Sequence, residues 1–334
     1  KTYQTKGITF SKDRAMQLEC TIRSFMAYCQ DVDMIDLIVF YKASNNNYES
    51  QYGELKKEYP NVVFIKENYF KDDLVNLISE YKKVLFLVDD NIFVREFYLR
   101  DMAQALDDHP ESLGFSMRLG KNTNYCYMLS KPQAYPLFKE IDNNVLLYEW
   151  LSAECDFGYP LELSSSLYRT EDILPFIKQL DFVNPNTLEA LMDANKMVYA
   201  QSKGKLLCFE QSVTFCNPVN VVQNVFKNRH GGTETYSPER LSRLFDDGYR
   251  IDAQMFMNFV PNSCHQEKAL EFINRYTGER LSMEGDGFPL VSIMILNYSR
   301  LNDIKMCLDS IKRNTPERHE IIVVDNASND GSIE

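Results

Sequence analysis

YKKVLFLVDDNIFV, residues 81 to 94, is the stretch on which the fold turns. The run from Val84 to Val88 is short, rich in Val, Leu and Phe, and bounded by charge, as expected of a strand buried on both faces of a parallel sheet. Ligands of open α/β sheets bind beyond the carboxyl ends of the strands. Asp89, Asp90 and Asn91 therefore stand where a metal bound to phosphate is held.

Outward from this stretch the chain alternates. Strands are expected at 7–11, 36–41 and 62–65 and helices at 14–28 and 72–81, an order that builds an α/β domain with a mostly parallel central sheet flanked by helices. The chain has 334 residues, 44% of them hydrophobic, which suffices for one large α/β domain and a remainder. A net charge of −12 argues against a nucleic-acid surface, which needs clustered Lys and Arg. The sequence holds no apolar run of membrane-spanning length and no charged-then-apolar leader. We therefore expect a cytoplasmic protein with, at most, peripheral membrane contact at the inner face. Its eight cysteines lack metal-finger spacing and read as reduced core thiols.

Two distant segments repeat each other. GITFSKDRAMQLECTIRSF (7–25) and VSIMILNYSRLNDIKMCLDSI (291–311) each give an apolar strand, a polar turn ending in Arg, and an amphipathic helix. Arg14 aligns with Arg300, Leu18 with Ile304 and Ile22 with Leu308. Each is followed by a second strand and a turn containing Ala-Ser-Asn, DLIVFYKASN (36–45) and EIIVVDNASND (320–330). Two such openings imply two domains, residues 1–282 and 288–334.

The second copy closely resembles the opening of inverting family-2 glycosyltransferases of the GT-A fold, a Rossmann-like α/β architecture. That resemblance implies that Asp325 touches a nucleotide base, and that residues 288–334 are the opening of a second transferase domain that breaks off at Glu334. It implies further that residues 1–282 form a full GT-A domain and that VDDN takes the place of the DxD motif, with Asp89, Asp90 and Asn91 holding Mn²⁺ or Mg²⁺ against a nucleotide diphosphate. Asn91 replaces the last carboxylate, and Asp-Asp-Asn also suits a simple turn. Ser11, Asp13 and Arg14 are expected to hold the nucleotide, with Tyr41, which stands opposite Asp325, stacking on its base.

Transfer to a hydroxyl needs a carboxylate to take the proton. The resemblance points to Glu189, in the first turn of a helix that Asn184-Pro-Asn-Thr187 would cap, with Asp172 and Asp156 as the other candidates. Asn186-Thr-Leu-Glu189 is also a capping box in which Glu189 would only close the helix start. Trp150, the single tryptophan, is expected to stack on an acceptor sugar, the alternative being a place in the core. His265 is expected to complete the metal or diphosphate site, and His230 to lie in a loop closing over the donor. Arg118 and Lys121 are candidates to face phosphates, or else solvated charges. The expected partners are a nucleotide-sugar donor, UDP-sugar before others, and a glycan acceptor, in the assembly of bacterial surface polysaccharide. The competing expectation is a GT-A-like module that binds glycan or scaffolds a partner without catalysis. No GxGxxG follows the first strand and no GxxxxGK[ST] occurs, which disfavours a dinucleotide oxidoreductase and a P-loop enzyme.

Overall fold

The structure is a computed structural model that describes residues 4–141, 144–220, 234–282, 291–314 and 319–332. It divides into two compact units, one of residues 1–232 and 237–281 and one of residues 233–236 and 282–334.

In the first unit, β1 (Thr5–Lys12), α1 (Ala15–Tyr28), β2 (Ile35–Lys42), α2 (Asn46–Glu58), β3 (Val63–Lys66), α3 (Phe70–Ile78) and β4 (Lys83–Val88) follow the order expected from the sequence. Next come β5 (Asn91–Phe93), α4 (Leu99–Asp108), β6 (Ser112–Ser116) and a small hairpin of β7 (Tyr125–Cys126) and β8 (Lys131–Pro132). They are followed by β9 (Lys139–Ile141), β10 (Val145–Glu149), β11 (Ser165–Arg169), α5 (Thr170–Gln179), α6 (Pro185–Ala194), β12 (Lys205–Phe209) and β13 (Thr214–Cys216). The unit closes with α7 (Pro238–Asp246), β14 (Tyr249–Ile251), β15 (Glu271–Asn274) and β16 (Arg280–Ser282).

Nine strands form one sheet in the order β3-β2-β1-β4-β11-β6-β12-β10-β9. β3, β2, β1 and β4 run parallel, but β11 enters antiparallel between β4 and β6, and β10 is antiparallel to both β12 and β9. The sheet is thus mixed, where a mostly parallel one was expected. The reason is the long excursion after β6, through the hairpin and β10, which returns the chain to the centre of the sheet from its opposite end.

The two central strands are buried nearly throughout because neither faces water: Ile8, Val84, Leu85 and Phe86 have no exposure. On one face Phe10, Phe40, Phe70 and Phe86 form a cluster, with ring centroids 5.4 to 6.4 Å apart. The site follows from this topology. From β1 the chain moves outward through β2 to β3, then crosses back to β4 on the other side of β1. The carboxyl ends of β1 and β4 therefore flank a switch in strand order, where a crevice must open.

In the second unit β17 (Val291–Asn297), α8 (Leu301–Asn314) and β18 (His319–Asp325) form a βαβ piece, its strands parallel from Val291↔His319 to Asn297↔Asp325. Its details match the start of the first unit. Ser11 pairs with Tyr41 in register as Asn297 does with Asp325. Asp13 and Ser299 both take positive φ, 56° and 49°, immediately before the aligned arginines. The Leu18 amide reaches the Arg14 carbonyl at 2.9 Å, and the Ile304 amide the Arg300 carbonyl at 3.0 Å. All eight cysteines are unpaired and six are buried, Cys155 being half-buried and Cys307 exposed. Among the described residues no helix is long and apolar enough to cross a membrane.

Candidate active site

The crevice at the ends of β1 and β4 is a cleft of about 610 Å³. Ser11, Lys12 and Arg14 line it from the first strand and turn, Asp89 and Asp90 from β4, and Asn186 and Glu189 from α6; His265 lines it as well.

Arg14 organises its floor. One guanidinium nitrogen lies 2.8 Å from Asp89 Oδ1 and the other 3.0 Å from Asp90 Oδ2, with only 9% of the residue exposed. The second Asp89 oxygen accepts from Ser11 Oγ at 2.9 Å and from the Lys12 amide at 3.3 Å. Because Ser11 spends its proton on Asp89, Tyr52 must donate to Ser11 across their 2.7 Å contact, while the Arg14 amide reaches Tyr52 Oη at 3.4 Å. A chain of donors thus runs Arg14, Tyr52, Ser11, Asp89. Burial pushes the Asp89 carboxyl up to about 6, against the pull of Arg14. The guanidinium, though burial acts to lower its pKa, is held above its ordinary value by Asp89 and Asp90.

These contacts bear on five of the expected site residues. Ser11 and Arg14 line the cleft but spend their polar groups on its floor. Asp13, in the left-handed region, accepts from the Ser44 amide at 2.7 Å and fixes the strand-to-helix turn. Tyr41 packs on Tyr52 at 4.3 Å and donates to Glu49 at 2.8 Å, which directs its ring away from the cleft. Asn91 begins β5 with no exposure, its Oδ1 accepting from the Val88 amide at 2.9 Å and its Nδ2 facing Cys216 Sγ at 3.4 Å; it is a turn-former and not a ligand.

The remaining donors suit a hard divalent cation poorly. Three of the four Asp89 and Asp90 oxygens are already engaged, two of them by a cation. His265 Nε2 faces Arg118 at 3.4 Å, and since guanidinium only donates, that nitrogen carries the lone pair and Nδ1 the proton. Burial, and Arg118 beside it, push the imidazole down to about 3, so it stays neutral. Among the described residues no group of three or more His, Cys, Asp and Glu is placed to hold a metal.

Glu189 is differently placed. Asn184, not Asn186, caps α6: its side chain accepts from the Thr187 amide at 2.9 Å and Thr187 Oγ1 accepts from the Asn184 amide at 3.1 Å. That capping box is complete without Glu189, which lies further into the helix and is free of the capping duty the sequence also allowed. The residue is half-buried, and burial pushes its carboxyl up to about 7, with Arg118 opposing. A second cleft of about 500 Å³ adjoins the first, sharing Met128, Ser164, Asn186, Glu189 and His265 with it, and Asp156 and Tyr159 lie on its far side. Asp156 Oδ2 is buried without a partner and burial raises its carboxyl.

Beneath both clefts lies an ion pair that sequence reasoning missed. Glu162, 2% exposed, accepts from the Ser165 amide at 3.0 Å and from the Ser164 amide and Ser166 hydroxyl, and stands 3.6 Å from Arg118. Glu162 stands two residues ahead of three serines, Ser164 to Ser166, an arrangement that lets a carboxylate collect N–H and O–H donors. Tyr52 was equally unforeseen, although Tyr48, Gln51, Tyr52 and Leu55 form a buried stripe at helical spacing.

Other candidates fall away. Trp150 is 2% exposed in the core, its indole N–H donating to the Lys203 carbonyl at 2.7 Å, so it has no face for a sugar. Asp172 pairs with Arg169 and Lys203, each at 2.9 Å, and lines neither cleft. Arg118 is buried among carboxylates instead of facing solvent, and Lys121 bridges Glu140 and Glu210 at the surface. His230 lies outside the described residues. In the second unit Asp325 accepts from Asn297 Nδ2 and the Ser328 amide, each at 2.7 Å, which holds its carboxyl below the usual range, Ser328 acting most strongly.

Residues 292–334 match the family model described as glycosyl transferase family 2. A bifunctional glycosyltransferase of Dictyostelium discoideum, pgtA, is 31% identical over 255 residues, covering 66% of this chain and 32% of its own length. The chain therefore spans about a third of that relative. TarS of S. aureus is similar in structure, with a TM-score of 0.43 at 15% identity over 64% of this chain and 36% of that one. The mannosyltransferase PcManGT of Pyrobaculum calidifontis, solved with GDP-Man and Mn²⁺, gives 0.37 at 11% identity over 57% and 52%. This chain is similar to glycosyltransferases, and its residues 292–334 match glycosyl transferase family 2.

Proposed function

We propose that the first unit, residues 1–282, is a glycosyltransferase domain that moves a sugar from a nucleotide donor to a hydroxyl of a glycan, with Glu189 as the base. The observation that carries this reading is a half-buried carboxylate, Glu189, on the wall shared by two adjoining clefts. A donor in the larger cleft and an acceptor in the smaller one would meet at Glu189. The acceptor O–H gives its proton to the carboxylate as its oxygen bonds to the anomeric carbon, and the bond from that carbon to the diphosphate breaks with its electron pair leaving on the phosphate. One such displacement inverts the anomeric centre. Asp156, on the acceptor side, is the second candidate for the proton. Because Arg14 already occupies the Asp89–Asp90 pair, no step of this mechanism runs through Mn²⁺ or Mg²⁺.

Support for the chemistry comes from the curated relative, a glycosyltransferase 31% identical over 255 residues. A reducing, cytoplasmic setting agrees with eight unpaired cysteines. The relative's source, Dictyostelium, gives no support to a role restricted to bacterial surfaces, so glycan assembly is the wider proposal. The test is calorimetric titration with UDP, GDP and CDP: saturable binding of one of them, UDP first, is expected, and no binding of any would overturn the reading.

One observation favours a second reading. The Arg14 clamp on Asp89 and Asp90 also suits a domain that binds glycan without turnover. Such a module would retain glycan affinity while showing no affinity for nucleotides.

A further inference from the structure

We infer that Arg14 is the resident cation of the Asp89–Asp90 pair, and that a nucleoside diphosphate enters this cleft without a divalent metal. The inference rests on the donor-binding reading above and sharpens it.

The argument is one of competition for the same oxygens. A hard divalent ion at this strand end would need Asp89 and Asp90 together. Each already gives an oxygen to Arg14, at 2.8 and 3.0 Å, in a two-pronged contact that a planar guanidinium makes well. Asp89 Oδ2 is further committed to Ser11 and the Lys12 amide. Entry of a metal would expel Arg14 from both carboxylates. Arg14 cannot deprotonate and is buried, so it would be left as an unpaired interior charge beside a dication, the costliest outcome for such a pair. The other two expected ligands do not lower that cost. Asn91 Oδ1 is spent on the Val88 amide, and the His265 lone pair points at Arg118, a second cation.

Two bare aspartates would repel a diphosphate; Arg14 cancels one of their charges. Lys12 and Lys42 line the same cleft, and α1 begins at Ala15 beside it, so its first amides add positive character. The Ser11–Tyr52 relay anchors the clamp from below, since it holds Asp89 by its other oxygen.

The experiment has two parts. Wild-type protein, stripped with EDTA, is titrated with UDP, GDP and CDP in EDTA and then in excess Mn²⁺. Separately, Mn²⁺ alone is titrated into wild type and Arg14→Gln, reading the free-ion electron paramagnetic signal. We expect nucleotide affinity to change by less than about threefold between EDTA and Mn²⁺, and Mn²⁺ binding to be at least about tenfold tighter in Arg14→Gln than in wild type, because the substitution frees the carboxylates. If Arg14→Gln fails to fold, the wild-type titrations decide alone. Nucleotide binding that appears only with Mn²⁺, or tight Mn²⁺ binding by wild type, would overturn the inference and leave the transferase reading standing. Absence of nucleotide binding in both buffers would overturn the two together.

Discussion

Glu189 shows how one residue's surroundings set its chemistry. An ordinary glutamate is ionised far below neutrality and makes a feeble base; burial pushes the half-buried Glu189 up to about 7. The base must be unprotonated, so kcat/KM is expected to rise with pH through about 7 and to level off above it. The sign for stability is opposite. A carboxyl whose folded pKa exceeds its unfolded value binds its proton more tightly in the folded chain, so its contribution to stability falls as pH rises from about 4.5 to about 7. Thermal unfolding of wild type and Glu189→Gln across that range checks this: the variant should lose less stability on going to higher pH. Glu162 makes the contrasting case. Its Gln variant leaves Arg118 buried without a full counter-charge, and urea unfolding should show a loss of about 3 kcal/mol. These roles were unevenly legible. Glu189 was singled out through the resemblance and its place near a helix start, whereas the pairing of Arg14 with Asp89 spans 75 residues and the Arg118–Glu162 pair spans 44, distances over which sequence spacing carries no geometric information.

At the level of elements the reading succeeded where the pattern is local. β1, β2, β3, β4, α1 and α3 lie within a few residues of their expected limits because each carries its own apolar run or stripe. α2 and α4 escaped notice: α2 is mostly polar, and both bury only four residues of their length. The direction of β11 is not carried by any local pattern, since antiparallel insertion depends on how the chain returns after a long excursion. The cap of α6 offers a test at this scale. Asn184→Ala removes the acceptor for the Thr187 amide and should cost about 1 kcal/mol in denaturant unfolding. Since α6 carries Glu189, the same variant should lower kcat several-fold while leaving donor affinity within about twofold, as steady-state kinetics would show.

For the whole molecule the internal repeat was the most informative signal. Its two copies share strand register, a positive-φ residue and the following arginine. Yet they put the arginine to different uses. Arg14 is clamped on Asp89 and Asp90, while Arg300 is exposed and reaches only Asp303 at 3.3 Å. Tyr41 and Asp325 diverge likewise, one packed on Tyr52 and the other fixed among Asn297 and Ser328. Similarity of sequence therefore transmitted the backbone faithfully and the site chemistry only in part, because the polar partners come from elsewhere in each unit. The central claim is that the first unit transfers sugar with Glu189 as base. The most direct test compares wild type with Glu189→Gln for release of nucleoside diphosphate from the nucleotide sugar whose base binds, in the presence of glycan acceptor. We predict a fall in kcat of about 10²-fold or more with donor affinity unchanged. Equal turnover by the two proteins, or no turnover by wild type with any nucleotide sugar that it binds, would contradict the account.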